Sequence, residues 1–224
     1  MRYMIFFFAI ALVADELPWE AGYHGAELEY LRLFLPENPI ILEAGAHNGE
    51  DTIPFIRQWP HATVHAFEPH LPCYSHLEKA ASTYPNVHTY PFGLYSETGT
   101  YTFYVSQKID GAFSLFEDNS PEIEYADTQV TIECKNLDEW AYEEGVDHID
   151  YMWLDMEGAE LAMLKSAPKM LQTVRAISTE VNFQEFRKGM ARWREMREFL
   201  EENGFSLYKI WGDPKWQATA IFVR

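Results

Sequence analysis

The feature that most constrains the fold of this chain is a regular alternation of short apolar runs with helix-like segments. The runs are seven to ten residues long and cover 40–46, 63–69, 86–92, 148–155 and 174–183. Nearly continuous apolar strands are typical of a parallel sheet that is buried on both faces. Segments with helical periodicity lie between several of these runs, at 26–35, 73–82 and 158–167. The alternation therefore predicts an α/β fold with a doubly wound sheet.

The C-terminal part of the chain predicts how this sheet ends. An amphipathic segment runs from Gln184 to Asn203, and the pair Asn203-Gly204 is a typical helix stop. Its apolar positions share one helical face: Trp193, Met196 and Leu200. Two further apolar runs, 205–211 and 218–224, flank the turn sequence "GDPK". We expect them to form a hairpin that adds one antiparallel strand to the mostly parallel sheet.

Residues 95–128 depart from the alternation. They contain a predicted hairpin and then an irregular, acidic stretch. Long irregular segments inside a compact domain are often lids or binding loops, and a decorated surface loop is the alternative interpretation. With 224 residues, of which 47% are apolar, the chain can bury one good core, so we expect a single domain over residues 21–224.

The first twenty residues differ in character from the rest. One early arginine, Arg2, precedes an apolar run from Tyr3 to Val13, and small residues end at Ala14. This resembles a secretory signal, although Leu12 fits poorly before the expected cleavage site. A membrane-touching helix and an apolar cap on the core are the alternatives. The segment is too short to cross a bilayer as a helix, so we predict no stable membrane span.

The net charge of the chain limits the classes of partner that it is expected to bind. The formal net charge is −18, and a negative charge disfavours binding to nucleic acid or to an anionic lipid surface. Basic residues do cluster on the predicted last helix, at Arg187, Lys188, Arg192, Arg194 and Arg197. Glutamates in the same segment balance them in number, which predicts a solvated, salt-bridged face rather than an anion site.

The two cysteines, Cys73 and Cys134, do not have the spacing of a metal site. We expect two small buried side chains. A disulfide between them would require an oxidising compartment.

The stretch "ILEAGAHNGEDT", residues 41–52, turns from the first predicted strand into a helix-compatible segment. A dinucleotide fingerprint would need glycines at 45, 47 and 50, and these positions hold Gly45, His47 and Glu50. No lysine of the P-loop type follows either. Nicotinamide dinucleotide and nucleoside triphosphate are therefore disfavoured as ligands.

A cationic nucleoside without phosphate fits this acidic turn better. Ligands of open α/β sheets bind beyond the carboxyl ends of the strands. Glu68 ends the second predicted strand, where its carboxylate could accept hydrogen bonds from both ribose hydroxyls of S-adenosylmethionine. Asp155 ends the fourth predicted strand and lies at the mouth of the same cleft, followed by Glu157. Glu160 falls in the next helical turn, where an acid suits the helix dipole.

Four blocks give the chain a specific resemblance: "ILEAGAHNGEDT", "VHAFEP", "LDMEGAELAMLKSA" and "ISTEVNF". In this order and spacing, over about residues 38–211, they resemble the FkbM-type S-adenosylmethionine-dependent methyltransferases. The resemblance implies a class I methyltransferase fold, which is Rossmann-like, and methylation of a hydroxyl on a sugar or other small molecule. It places the cofactor contacts on Glu43, Gly45, Asn48, Gly49, Glu68 and Asp155, and an active-site role on Asp155 and Glu157.

Two positions bear on how far the resemblance extends. Family members often carry lysine two positions before the aspartate, where this chain has Trp153. A Ser-Leu pair after the central loop is matched by Ser114-Leu115.

The implied chemistry is in-line attack of an oxygen on the donor methyl group, which requires alignment and a dry pocket. The hydroxyl also needs a base, and His47, Asp155 and Glu157 are the candidates. Asp155 and Glu157 could hold a divalent ion, but two carboxylates do not make a metal site, and we predict none.

The alternative to an enzyme is a binding protein on a methyltransferase scaffold, possibly exported. We expect a reaction in the cytosol, where the donor is found.

Overall fold

A computed structural model describes residues 26–119 and 128–224. The helices are α1 Ala26–Leu31, α2 Thr52–Gln58, α3 Leu71–Ala81, α4 Leu137–Glu144, α5 Glu160–Ser166, α6 Pro168–Leu171 and α7 Trp193–Glu202. The strands are β1 Ile40–Ala44, β2 Thr63–Phe67, β3 Val87–Tyr90, β4 Gly93–Leu94, β5 Gly99–Val105, β6 Phe113–Ser114, β7 Thr128–Lys135, β8 Tyr151–Leu154, β9 Ala176–Asn182, β10 Ser206–Gly212 and β11 Gln217–Val223.

Seven of these strands form the main sheet, in the order β10-β11-β9-β8-β1-β2-β3. Neighbours from β9 to β3 pair in parallel, whereas β11 pairs antiparallel with both β9 and β10. The predicted doubly wound sheet with a terminal antiparallel hairpin strand is therefore confirmed. The strand order reverses between β1 and β8, so a crevice opens at their carboxyl ends, where ligands bind in such sheets.

Helices cover both faces of the main sheet, as the apolar character of its strands requires. On one face, α1 and α2 pack against β1, β2, β8 and β9 around Phe55 and Tyr151. On the other face, α4 to α7 pack around Trp140, Met152 and Trp193. Each face thus has its own apolar core, and the strand ends remain open between them.

The segment after β3 forms a second sheet of four strands, in the order β4-β7-β5-β6. The predicted hairpin is the antiparallel pair of β5 and β6, in which Tyr104 lies opposite Ser114. The alternation of apolar runs did not predict β7 or α4. Part of the acidic stretch, residues 120–127, lies outside the described residues.

The predicted helix from Gln184 to Asn203 is wrong in its first half. Helix α7 begins only at Trp193, although it ends before Asn203-Gly204 as expected and buries Trp193, Met196 and Leu200. Before it, the backbone N–H of Lys188 donates to the carbonyl of Glu117, and Gly189 adopts a φ of +82°. Because its backbone forms hydrogen bonds with a neighbouring loop, this segment is not helical.

The basic face predicted for this helix is also partly wrong. Arg194 and Arg197 do pair with Glu198 and Glu201 on the exposed side of α7. Arg187, by contrast, has no exposed surface, and its guanidinium donates to the carbonyl of Ala112 at 2.7 Å. It fastens the segment before α7 to the loop before β6.

Both cysteines are buried and unpaired, as expected of two small core side chains. Burial raises the pKa of each thiol to about 12. The N-terminal segment 1–20, with its signal-like character, lies outside the described residues. Within residues 26–119 and 128–224, no helix is both long and apolar enough to cross a bilayer.

Candidate active site

The loop after β1 closes tightly over the end of β8. Gly45 has a φ of +87°, and a Cβ at this position would lie 1.8 Å from the carbonyl oxygen of Asp155. The N–H groups of Gly45 and Ala46 both donate to the carbonyl of Phe67, at 3.1 and 3.0 Å. Only glycine permits this approach, which joins the ends of β1, β2 and β8 around one point.

Glu68, just after β2, is the buried centre of that junction. It is 4% exposed, and its carboxylate accepts hydrogen bonds from the N–H groups of His47 and His70, at 2.8 and 2.7 Å. Burial raises the pKa of Glu68 to about 7, although both N–H groups oppose the rise. Because a carboxylate oxygen can accept more than one hydrogen bond, Glu68 keeps capacity for a ligand.

His47 adopts a φ of +47°, and two acids flank its ring. Its Nε2 lies 3.4 Å from an oxygen of Asp110, and its Nδ1 lies 3.5 Å from an oxygen of Glu50. The ring meets Phe113 edge to face at 5.7 Å between centroids. These contacts place an imidazole between two carboxylates at the wall of the cleft.

Asp155 follows β8 on the other side of Gly45. Asp155 is exposed where it lines the cavity, and protein atoms surround it on its other sides. This desolvation, together with the negative charge of Asp51, raises the pKa of Asp155 to about 6, and His47 opposes the rise. A carboxyl group that titrates in this range can exchange protons near neutral pH.

The acidic turn after Asp155 is built by hydrogen bonds. Glu157 adopts a φ of +51°, and its carbonyl accepts the hydroxyl of Ser114 at 2.9 Å. The carboxylate of Glu160 accepts from the N–H groups of Met156 and Gly158, at 2.8 and 3.3 Å. Glu160 therefore holds the turn, in keeping with the structural role expected for it.

Glu180 on β9 is a site residue that the sequence did not reveal. One carboxylate oxygen each from Asp155, Glu157 and Glu180 lie within 4.8 Å of one another. Burial and the charges of neighbouring acids, first of all Glu157, raise the pKa of Glu180 well above its usual range. The available signal was an acid in the middle of the apolar run 174–183.

A cavity of about 300 Å³ lies between the ends of β1, β2 and β8 and the second sheet. Its size is at the lower end of small-molecule sites. The wall from the main sheet is acidic and includes Glu50, Asp51, Glu68 and Asp155. The wall from the second sheet and its loops is largely apolar and includes Phe103, Phe113, Leu115, Ile132 and Cys134.

Four predicted site residues, Gly45, His47, Glu68 and Asp155, thus meet at this cavity. Three others support the loop from behind. Glu43 is buried in β1 and accepts the hydroxyl of Thr52, and burial raises its pKa well above the usual range. Asn48 binds His76, and Gly49 packs against α3 with a φ of +91°.

Trp153, in the position where lysine is frequent, does not face the cleft. It is 5% exposed and packs against Phe55 in the core under α2. Leu115, of the Ser114-Leu115 pair, lines the cavity, and Ser114 is fully buried. Trp153 therefore contributes packing energy and leaves the polar groups of the cleft unchanged.

Comparison with protein families gives a match over most of the chain. Residues 43–207 match the model described as the methyltransferase FkbM domain. Two curated proteins are similar. The 2-O-methyltransferase NoeI of Sinorhizobium fredii is 24% identical over 173 residues, which are 73% of this chain and 71% of that protein. The methyltransferase sdnD of Sordaria araneosa is 29% identical over 158 residues, 58% of this chain and 61% of that protein.

Among solved structures, the methyltransferase FkbM from Methylobacillus flagellatus superposes with a TM-score of 0.54 at 12% identity. The superposition covers 89% of this chain and 51% of that chain, so this chain spans about half of the solved protein. At this identity the likeness concerns the fold, a Rossmann-like methyltransferase sheet.

Proposed function

Because the chain belongs to the FkbM methyltransferase family, we propose that it transfers the methyl group of S-adenosylmethionine to a hydroxyl oxygen of a sugar or other small molecule. One observation carries the proposal. Gly45, Glu68 and Asp155, which lie far apart in sequence, converge on one cavity at the switch point of the sheet. This is where sheets of this kind bind nucleoside cofactors.

The charge of the cleft suits the donor. The missing side chain at Gly45 lets the loop after β1 close against the backbone of Asp155, which brings the acidic residues together. The acidic wall that results suits a sulfonium and an ammonium group. We assign Glu68 to accept the ribose hydroxyls, and the N–H groups of His47 and His70, which fix its carboxylate, support this assignment. A pyrophosphate would meet several carboxylates here, which argues against a nicotinamide dinucleotide.

The donor supplies an electrophilic methyl group, and the chain's own residues align it and handle the proton. His47 is the favoured base, because it lines the cavity and carries an acid on each side of its ring. Asp155 lies across the same cavity and is the second candidate. Glu157 belongs to the turn behind Asp155 and is assigned a supporting role. The apolar wall around Phe113 and Leu115 excludes water from the reacting groups.

The acceptor is proposed from a relative and from charge. NoeI, named as a 2-O-methyltransferase, supports an oxygen acceptor. A net charge of −18 and an acidic cleft disfavour nucleic acid. We propose the cytosol as the site of reaction, since the donor is available there. The rival, a binding protein on the same scaffold, would hold the donor without transferring its methyl group.

The test uses the purified full chain with donor labelled in its methyl group. A panel of small sugars with free hydroxyls is matched with the same sugars blocked at each hydroxyl. We expect label in one or more free sugars and none in the partner blocked at the reacting position. Transfer to amines only, or to RNA only, would refute the proposed acceptor. Donor binding with no transfer to any acceptor would favour the binding protein.

A further inference from the structure

The carboxyl ends of β8 and β9 bring three acids together beside the donor cavity. These strands are neighbours in the sheet and pair in parallel, with Leu154 opposite Thr179. Asp155 and Glu157 follow β8, and Glu180 lies one residue after Thr179. One carboxylate oxygen of each acid lies within 4.8 Å of the other two.

This spacing suits a single cation. Oxygen ligands bind Mg²⁺ at ~2.1 Å and Ca²⁺ at up to ~2.6 Å, so oxygens that share one ion lie at most about 4.2–5.2 Å apart. The three acids already satisfy the wider limit without rearrangement. Three carboxylates also form the oxygen-only ligand set that hard divalent cations prefer.

Two buried oxygens on β9 that have no hydrogen-bond partner in the described part of the chain point independently to a ligand. The Oε2 atom of Glu180 has no exposed surface and no hydrogen-bond partner within the described part of the chain. Asn182 is 2% exposed, and its Oδ1 likewise has no partner there. Asn182 lies two residues after Glu180 on β9, so both side chains project from the same face of the sheet. Burying such acceptors without a partner is costly.

Two acids of the cluster have no basic side chain paired with them in the described part of the chain. Neither Asp155 nor Glu180 forms an ion pair with a lysine, arginine or histidine of residues 26–119 and 128–224. A bound cation would relieve their mutual repulsion without protonation of either acid.

We infer that Asp155, Glu157 and Glu180 form a binding site for one hard divalent cation, with Asn182 as a further oxygen donor. The spacing of the three acids fits Ca²⁺ as it stands, and a small inward movement of the side chains would fit Mn²⁺. Asp155 belongs both to this site and to the wall of the donor cavity. The cation therefore lies where an acceptor hydroxyl could become one of its ligands. That last role rests on the proposed function, whereas binding of the cation does not.

The test is binding of Mn²⁺ to the full chain after removal of metals with a chelator. Electron paramagnetic resonance counts free Mn²⁺ during the titration, and thermal unfolding is followed with and without the ion. We expect one Mn²⁺ per chain and a rise in Tm. Glu180→Gln, which keeps the size of the side chain, should weaken binding at least about tenfold, because affinity follows the number of charged ligands.

A matched control and a second variant protect the interpretation. Glu202→Gln removes one exposed charge from α7, far from the cluster in the fold, and should bind Mn²⁺ like the wild type. Glu157→Gln replaces Glu180→Gln if the latter does not fold by circular dichroism. Absence of saturable Mn²⁺ binding, or equal binding in the cluster variants and the control, would overturn the site.

The same samples separate this inference from the proposed function. Titration with S-adenosylhomocysteine in the presence of chelator reports the donor cavity alone. Donor-product binding without Mn²⁺ binding would end the cation site and leave the methyltransferase proposal intact. Mn²⁺ binding without any donor-product binding would do the reverse.

Discussion

The carboxylates on the two sides of the cleft differ in their hydrogen bonding and in their distance from one another. On the β2 side, Glu68 is 4% exposed, and two backbone N–H groups occupy one position on each of its oxygens. On the β8 and β9 side, Asp155, Glu157 and Glu180 lie close together, and one buried oxygen of Glu180 has no hydrogen-bond partner among residues 26–119 and 128–224. Both sides are acidic, but on the first side backbone N–H groups hold the carboxylate that faces the cavity.

This difference indicates what each side needs from a ligand. The Glu68 side is held in its binding geometry before any ligand arrives, which reduces the ordering cost of binding. The Asp155 side is electrostatically incomplete, so a ligand with positive charge would stabilise it. The donor sulfonium and a metal cation are both of that kind.

The largest effect is expected where the two sides meet, at Gly45. Gly45→Ala would place a Cβ 1.8 Å from the carbonyl of Asp155 at a φ of +87°. We expect loss of donor-product binding and a loss of unfolding free energy above about 3 kcal/mol, measured by urea denaturation. Gly145→Ala is the control, since Gly145 has a φ of +70° and open space around it. It should cost about 1–2 kcal/mol and leave binding unchanged. Equal effects of the two substitutions would show that the close approach is unimportant.

The next largest effect is expected on the β8 and β9 side of the cleft, for the substitution Asp155→Asn. The charge at the end of β8 would be lost while size and fold are kept, so we expect methyl transfer to fall about a hundredfold or more. Turnover with an identified acceptor and circular dichroism check this. Asp147→Asn removes an exposed charge at the opposite end of β8 and should retain wild-type turnover. Full turnover in Asp155→Asn would remove this residue from the mechanism.

Glu68 should give a smaller, pH-dependent effect. Loss of a hydrogen-bonded charge costs about 1.5–3 kcal/mol, so Glu68→Ala should weaken S-adenosylhomocysteine binding at least about tenfold. Glu68→Gln keeps one acceptor oxygen and should lose less. Because a carboxylate accepts ribose hydroxyls better than a carboxyl group does, wild-type affinity should rise as pH increases through about 7. Calorimetry at several pH values should find no such rise in Glu68→Gln. A rise of equal size in both proteins would assign the titration to another group.

The raised pKa of Glu68 also predicts how the free energy of unfolding depends on pH. Folding raises the pKa of Glu68 from 4.5 to about 7. The protonated carboxyl group therefore stabilises the fold below pH 4.5, and this contribution is lost as pH rises through 7, by up to about 3 kcal/mol. Urea denaturation at pH 5 and pH 8 should show a smaller decrease for Glu68→Gln than for the wild type. An identical decrease would contradict the burial argument.

The smallest effect is expected at Ser114, which ties the second sheet to the acidic turn. Its hydroxyl donates to the carbonyl of Glu157 and accepts the N–H of Phe116, both at 2.9 Å. Ser114→Ala should cost about 1–2 kcal/mol of unfolding free energy and lower methyl transfer modestly, with donor-product binding unchanged. The exposed Ser206, substituted by alanine, is the control. Weakened donor-product binding in Ser114→Ala would mean that the two sides are coupled.

Much of the main sheet could be predicted from the sequence because its strands are buried on both faces. The runs at 40–46, 63–69 and 148–155 became β1, β2 and β8, and their polar ends became the wall of the cavity. Helix α4 was missed although Asn136 caps its start with two hydrogen bonds and Gly145 ends it. These end signals outweigh its weak apolar periodicity.

The remaining differences come from contacts between distant segments. Arg187 lies in a stretch with helical composition, yet its buried guanidinium reaches a carbonyl 75 residues away, and α7 starts only after it. Glu180 meets Asp155 only because β8 and β9 are neighbours, which the order of residues alone does not state. Glu43 was expected at the cofactor but is placed behind the loop, since alternation along β1 turns its side chain toward Thr52.

The most direct test of the account is calorimetric titration of the wild-type chain with S-adenosylhomocysteine, and separately with NAD, at pH 8. The account predicts saturable binding of one S-adenosylhomocysteine per chain, at least about tenfold weaker in Glu68→Ala, and no saturable binding of NAD. Absence of S-adenosylhomocysteine binding to folded protein, or binding of NAD in its place, would contradict the assignment of this cleft to a methyl donor.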